Sequence, residues 1–181
     1  MKVWSGTEQE RTGLEACFPR LADISDASLR EKVMELWLRL WRESGYRDIG
    51  DCPNHPNVTD SLVLHTAAVT EMSLVSGRAL ERTYHYPLDY DRLLAGAISH
   101  DADKLVVFGG AGGTLHRDEV HGQYAASLAG RVGLPPEVVN IIASHSAMHP
   151  VAVPQTVEAV IVADCDHAAF RAFRLMKGLP L

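Results

Sequence analysis

Cysteine is nearly missing from this chain. Cys17, Cys52 and Cys165 are the whole set, an odd number with no CxxC pair. That argues against a disulfide framework and against a thiolate zinc ribbon. No apolar run approaches the roughly 20 residues that span a bilayer, so no membrane partner is expected. The opening Met1-Lys2-Val3-Trp4-Ser5-Gly6-Thr7-Glu8 turns polar at once and holds no signal-peptide core. The reading is a reducing cytoplasm. A basic block is also missing: 17 Lys plus Arg face 23 Asp plus Glu, a net charge of −6. This composition speaks against a dedicated binder of nucleic-acid polymers. Alternation with period two is almost absent, which disfavours β architectures.

What remains is an ordinary globular composition over 181 residues, 46% hydrophobic and 22% charged. That length suits one domain with a core of its own. The excess is in histidine, at nine residues. Asp26 or Ser28 starts a helix with Leu29, Val33, Leu36, Trp37, Leu40 and Trp41 on one face, ended by Gly45. Residues 46–60 read as a loop. Further helices are predicted at about 61–82, from Asp89 or Tyr90 to Lys104, 118–132, 135–146 and 154–176. The expected fold is an all-α, single-domain helical bundle. Residues 1–58 form an N-terminal helical extension packed on the core, 59–176 the main domain and 177–181 a tail. The Trp37 and Trp41 pair reads as core or as a dimer face, which leaves a homo-oligomer open.

Placing the histidines on these helices is the informative step. His65, His100, His121 and His145 each fall on an apolar stripe: Leu62 and Val69 flank His65, Leu93 and Ala97 precede His100, Ala125 and Leu128 follow His121, and Val138 and Ile142 precede His145. Asp164 follows Val157, Val160 and Ile161 in the same way, and Asp101 adjoins His100. Any one buried histidine is more often a satisfied core residue. Several at once, with two acids whose burial alone would be costly, satisfy one another by converging on a metal. Imidazole and carboxylate without thiolate suit Fe or Mn, and also Zn, Co or Ni. Six ligand groups favour two divalent ions sharing Asp101.

The ordered set His65, His100-Asp101, His121, His145 and Asp164 resembles the HD superfamily of metal-dependent phosphohydrolases over about residues 60–175. His100-Asp101-Ala102-Asp103-Lys104 is similar to its HDxxK segment, and Val162-Ala163-Asp164 to its late Ala-Asp. The resemblance implies an HD-type bundle around a metal centre. His65, His100, Asp101 and Asp164 would hold one ion, and His121, His145 and the bridging Asp101 the other. One departure is His145-Ser146, where many dinuclear members carry a His-His pair.

The implied function is hydrolysis of a small phosphorylated or nucleotide-like anion by a metal-bound hydroxide. Asp101 and Lys104 are the expected catalytic residues, and Lys104, His116, Arg117 and His149 the candidates for contacting substrate. Asp103 reads equally as a partner to a ligand histidine and as a solvated acid. Residues 105–117, with Gly109, Gly110, Gly112 and Gly113, suit a lid. His55, His85 and His167 lack a motif context, and Cys165 reads as a small core residue. Two alternatives stay open. A di-iron oxygenase cleaving a C–C or C–P bond with O₂ would use the same ligands. A non-catalytic sensor or interaction module would typically have lost some of them.

Overall fold

Helix α2, Ala27–Ser44, begins where the sequence predicts. The Asp26 carboxylate accepts from the amides of Ser28 and Leu29, and Gly45 ends the helix at φ 75°. A left-handed terminal residue of this kind favours glycine. Its inner face buries Leu29, Val33, Leu36, Trp37 and Leu40. Trp37 lies at the centre of that face, with its ring 4.4 Å from Phe18 and its indole N–H donated to the Ile98 carbonyl at 3.2 Å. Trp37 is therefore a core residue. Ahead of α2, helix α1 (Glu8–Cys17) starts with a reciprocal capping box between Thr7 and Glu10. A 3₁₀ turn follows over Pro19–Asp23.

The computed structural model describes residues 6–55, 58–108, 120–146 and 151–181. Among these, helix dominates. After α2 come α3 (Leu62–Tyr84), α4 (Tyr90–Ser99), α5 (Lys104–Val107), α6 (Gln123–Arg131), α7 (Pro136–Ser144) and α8 (Val157–Met176). Side-chain caps open most of the long ones: Ser61 for α3, Asp89 for α4 and Thr156 for α8. Helix α4 is the axis of the bundle and packs against α2, α3, α7 and α8. It buries every residue from Leu93 to Ser99, as a helix surrounded by others must. Gly96 lets α7 come close, since a Cβ there would meet Ile141 at 2.5–2.9 Å. Among the described residues no helix is long and apolar enough to cross a membrane.

Three expectations change. Residues 46–60 are not wholly loop: β1 (Pro53–His55) pairs antiparallel with β2 (Val58–Ser61), Pro53 opposite Ser61 and His55 opposite Val58. Strands this short carry no legible alternation, and Pro53 is tolerated because it starts a strand at a sheet edge. Helix α4 stops at Ser99 rather than reaching Lys104. The chain then tightens into i to i+3 turns, with the Ala102 amide on the Ser99 carbonyl and the Lys104 amide on the Asp101 carbonyl. Helix α6 starts at Gln123, so His121 and Gly122 lie in the turn before it, Gly122 at φ 86°.

Candidate metal centre

The α4–α5 turn delivers a fully buried carboxylate to the middle of the bundle. Asp101 is 0% exposed, with Asp103 and His100 buried beside it. Three helices and one turn bring imidazoles to it. His65 comes from the first turn of α3, His100 from the end of α4, His121 from the turn before α6 and His145 from the end of α7. Oδ2 of Asp101 lies 3.2 Å from His100 Nε2 and 3.3 Å from His65 Nε2. Oδ1 lies 2.9 Å from His121 Nε2 and 3.4 Å from His145 Nε2.

His100 and His145 use one local device. Each caps the C-terminus of its helix, and each ring folds back so that Nδ1 meets the carbonyl three residues earlier, Ala97 and Ile142 respectively, at 2.7 Å. A carbonyl only accepts, so Nδ1 carries the proton and Nε2 presents a lone pair inward. His121 Nδ1 is held in the same way by Oδ1 of Asp103 at 2.8 Å. The other oxygen of Asp103 accepts from the Gly122 amide at 2.6 Å. Asp103 thus orients a histidine, one of its two sequence readings. Such outer contacts fix ring orientation at metal sites.

The late acid differs from expectation. Asp164 is exposed on α8 and does not join the cluster. Asp166 does, with Oδ1 2.9 Å from His65 Nε2 and 3.9 Å from His100 Nε2. Two residues along a helix turn the side chain by about 200°. The buried stripe of α8 runs through Ala159, Val162 and Ala169, which places Asp166 on the inner side and Asp164 on the outer. The stripe through Val160 was misleading because Val160 is itself exposed. Ala159, Val162 and Ala169, at −7, −4 and +3 from Asp166, were the signal that identifies it.

Two sets of donor atoms lie mutually within 4.8 Å: His65, His100, Asp101 and Asp166, and Asp101, His121 and His145. Asp101 belongs to both. His100 Nε2 and Asp101 Oδ1 are buried without a hydrogen-bond partner, an unfavourable state that a cation would relieve. The donors are nitrogen and oxygen throughout, so these residues fit a divalent transition metal.

Electrostatics agree. Burial alone would raise the Asp101 carboxyl, but His100 and Lys104 hold it well below the usual carboxylate range. Asp166 is likewise lowered against its burial by the His65 contact. Burial opposes a charge on His121, yet Asp103 and Asp101 push that imidazole up to about 10. The carboxylates are thus held ionised at the centre, where a metal cation could take the place of the proton on His121.

Lys104 stands at its edge. Nζ donates to Asp101 Oδ2 and to Asn54 Oδ1, each at 2.6 Å. Asn54 is buried on β1 and carries no sequence signal, since a three-residue strand shows no legible alternation. His116, Arg117 and His149 lie outside the described residues. Cys165 is a buried free thiol near the Ser76 hydroxyl, at 3.6 Å. His167 is exposed, and His85 closes α3 in a left-handed conformation.

The family model for the HD domain matches residues 62–170. A dihydroneopterin 2',3'-cyclic phosphate phosphodiesterase from Methanocaldococcus jannaschii is 30% identical over 160 residues. The match covers 80% of this chain and 64% of that protein, so the chain spans just under two thirds of its relative's length. No solved structure matches the chain.

Proposed function

The chain belongs to the HD domain family, and from that premise we propose that it is a metal-dependent phosphohydrolase acting on a small phosphate ester, with phosphodiesters the first class to test. The observation that carries this reading is Lys104 Nζ at 2.6 Å from Asp101, beside the two donor sets that share that carboxylate. His65, His100, Asp101 and Asp166 would hold one divalent ion, and Asp101, His121 and His145 a second. Iron and manganese suit this set best, with zinc, cobalt and nickel as alternatives. When bound, such ions lower the pKa of water to near neutrality and offset charge on a phosphoryl group.

The protein's own residues account for the rest. Lys104 is 12% exposed at its side chain, enough for its ammonium to meet a phosphoryl oxygen while Asn54 and Asp101 fix its position. Protons held on Nδ1 of His100, His121 and His145 keep those rings in one orientation, so no reorganisation is required as substrate binds. Asp166 holds the buried His65 ring through Nε2 at 2.9 Å. Burial of Asp101 keeps water from screening these charges. The relative's substrate is a cyclic phosphodiester by name, which motivates the choice of class. The three free thiols accord with a cytoplasmic setting.

The test is the purified chain, loaded with Mn²⁺ or Fe²⁺, on a panel of 2',3'-cyclic nucleotides, linear diesters and monoesters, followed by ³¹P NMR. Cleavage of at least one class is expected, with a loss of about 10³-fold or more in Asp101→Asn. No cleavage by the loaded protein overturns the reading. The same donor set would also serve a di-iron oxygenase. A mixed-valent iron EPR signal that responds to substrate would favour it.

A further inference from the structure

One oxygen of the centre has two claimants. Nζ of Lys104 donates to Oδ2 of Asp101 at 2.6 Å. The same oxygen lies 3.2 Å from His100 Nε2 and 3.3 Å from His65 Nε2. Oδ2 is therefore both the acceptor for the lysine and the oxygen that Asp101 turns toward two members of the first donor set. An ammonium and a divalent cation at one carboxylate oxygen repel each other, and burial leaves that repulsion weakly screened. A chain that binds metal there needs a second place for the ammonium.

Asn54 is that place. Its Oδ1 accepts from Lys104 Nζ at 2.6 Å, as short as the Asp101 bond. The amide orientation follows from chemistry: an ammonium only donates, so the carbonyl oxygen faces it and the NH₂ group points away. A carbonyl also holds the lysine without neutralising its charge, which a carboxylate would do. The holder is rigid. Asn54 is 1% exposed and lies in β1 between the pairs Pro53–Ser61 and His55–Val58. The Leu62 amide donates to the Cys52 carbonyl at 2.8 Å, which ties β1 to the first turn of α3, where His65 sits. Lys104, by contrast, carries its charge on a flexible four-carbon stem. Asn54 precedes residues 62–170, which match the HD domain.

We propose that Asn54 is a positioning residue: it retains the Lys104 ammonium at the edge of the centre when a metal ion claims Asp101 Oδ2. A lysine that balances a buried acid is thereby converted into one that faces substrate. Without metal, Lys104 commits one N–H to Asn54 and one to Asp101. With Asp101 given over to metal, one N–H stays on Asn54 and two are left for phosphoryl oxygens. The substrate half rests on the phosphohydrolase reading; the exchange at Asp101 does not.

The test is calorimetric titration of the full chain with Mn²⁺ alone, then of the Mn²⁺-loaded chain with inorganic phosphate. Four chains are compared: the parent, Asn54→Ala, Lys104→Met and the double variant. Lys104→Met removes the competing cation and should raise Mn²⁺ affinity about 10-fold. Asn54→Ala leaves the ammonium only Asp101, so affinity for Mn²⁺ and for phosphate should each fall about 10-fold. In the Lys104→Met background the same Asn54 change should move Mn²⁺ affinity by less than about twofold, because Asn54 acts through the lysine. A hairpin that only supports the fold would lower Mn²⁺ affinity by the same factor in both backgrounds, and that result overturns the proposal. So does an Asn54→Ala chain with unchanged Mn²⁺ affinity. Asn54→Leu, close to asparagine in volume, repeats the comparison should Asn54→Ala fail to fold. Neither titration requires turnover. The expected coupling in a chain that cleaves no ester would sink only the hydrolase reading.

Discussion

Nε2 of His121 and Nε2 of His145 face each other at 3.0 Å. The opposite nitrogens are already committed, to Asp103 and to the Ile142 carbonyl. Two lone pairs this close repel unless a proton or a cation lies between them, and Asp101 Oδ1 borders both rings. A proton on His121, whose imidazole is pushed up to about 10, satisfies this contact, and a bound cation would take that proton's place.

Metal should stabilise the fold measurably. A ligand at about 100 times its Kd adds about 2.7 kcal/mol. For a chain of this size that is roughly 5–10 °C in Tm. Thermal melts with Mn²⁺, Fe²⁺ or Zn²⁺ against EDTA provide the measurement. The increment should shrink in His145→Ala, which removes a donor at the end of α7. A Tm indifferent to metal would contradict the assignment of both donor sets.

Asp164 and Asp166 differ by two residues and should differ sharply in effect. Asp166→Ala should cost about 10-fold or more in metal affinity, since it removes a carboxylate 2.9 Å from His65. Asp164→Ala lies on the exposed side of α8 and should leave metal content unchanged, with stability within about 0.5 kcal/mol. Metal analysis of the two variants after dialysis decides between them. Retention of metal by Asp166→Ala with loss in Asp164→Ala would reverse the assignment.

That pair also marks where sequence reasoning stopped. The histidines at 65, 100 and 145 were legible because each falls on a stripe whose other members are buried, α2 is marked by its caps, and α3 and α7 by their apolar periodicity. On α8 the apolar residues occupy more than one face, so two stripes fit the letters and only packing against α3 and α7 chooses the phase. His121 was found although its helix starts later than expected. Its local pattern follows from Gly122 and Asp103, which hold it in a turn. Asn54 and the hairpin were invisible, because their order comes from contacts distant in sequence, such as the Lys104 bond.

Acid should loosen the attachment of the N-terminal segment to α4. Asp91 accepts from the Ser25 amide at 2.8 Å, the Ser25 hydroxyl at 2.7 Å and the Asp26 amide at 2.8 Å. Burial would raise this carboxyl, but these bonds outweigh it and hold it below the ordinary 3.8. A depressed carboxylate contributes stability that is present above its unfolded pKa and lost as pH falls through the folded value. Asp91→Asn should thus cost about 1–2 kcal/mol at pH 7. The gap to the parent chain should close as pH falls below the ordinary carboxylate range and through the depressed folded value. Urea unfolding across that range tests it, and a gap independent of pH would assign the effect to shape rather than charge.

Gly96 carries the alignment of α4 with α7, the two helices whose ends present His100 and His145. A Cβ at 96 would lie 2.5 Å from Ile141 Cδ1 and 2.6 Å from its Cγ2. Both residues are fully enclosed, so the neighbour has no space into which to withdraw. Gly96→Ala gains helix propensity of about 1 kcal/mol, but overpacking of this kind costs about 1–3 kcal/mol. The wedge should also separate the two histidines, so metal affinity should fall together with Tm. Ile141→Ala creates a cavity by itself and should be destabilising alone. Combined with Gly96→Ala it removes the clash and refills part of that cavity. The double variant should therefore be more stable than the sum of the single losses requires, by about 1 kcal/mol or more. Strict additivity in denaturant unfolding would show that Ile141 is not what limits the approach of α4 to α7.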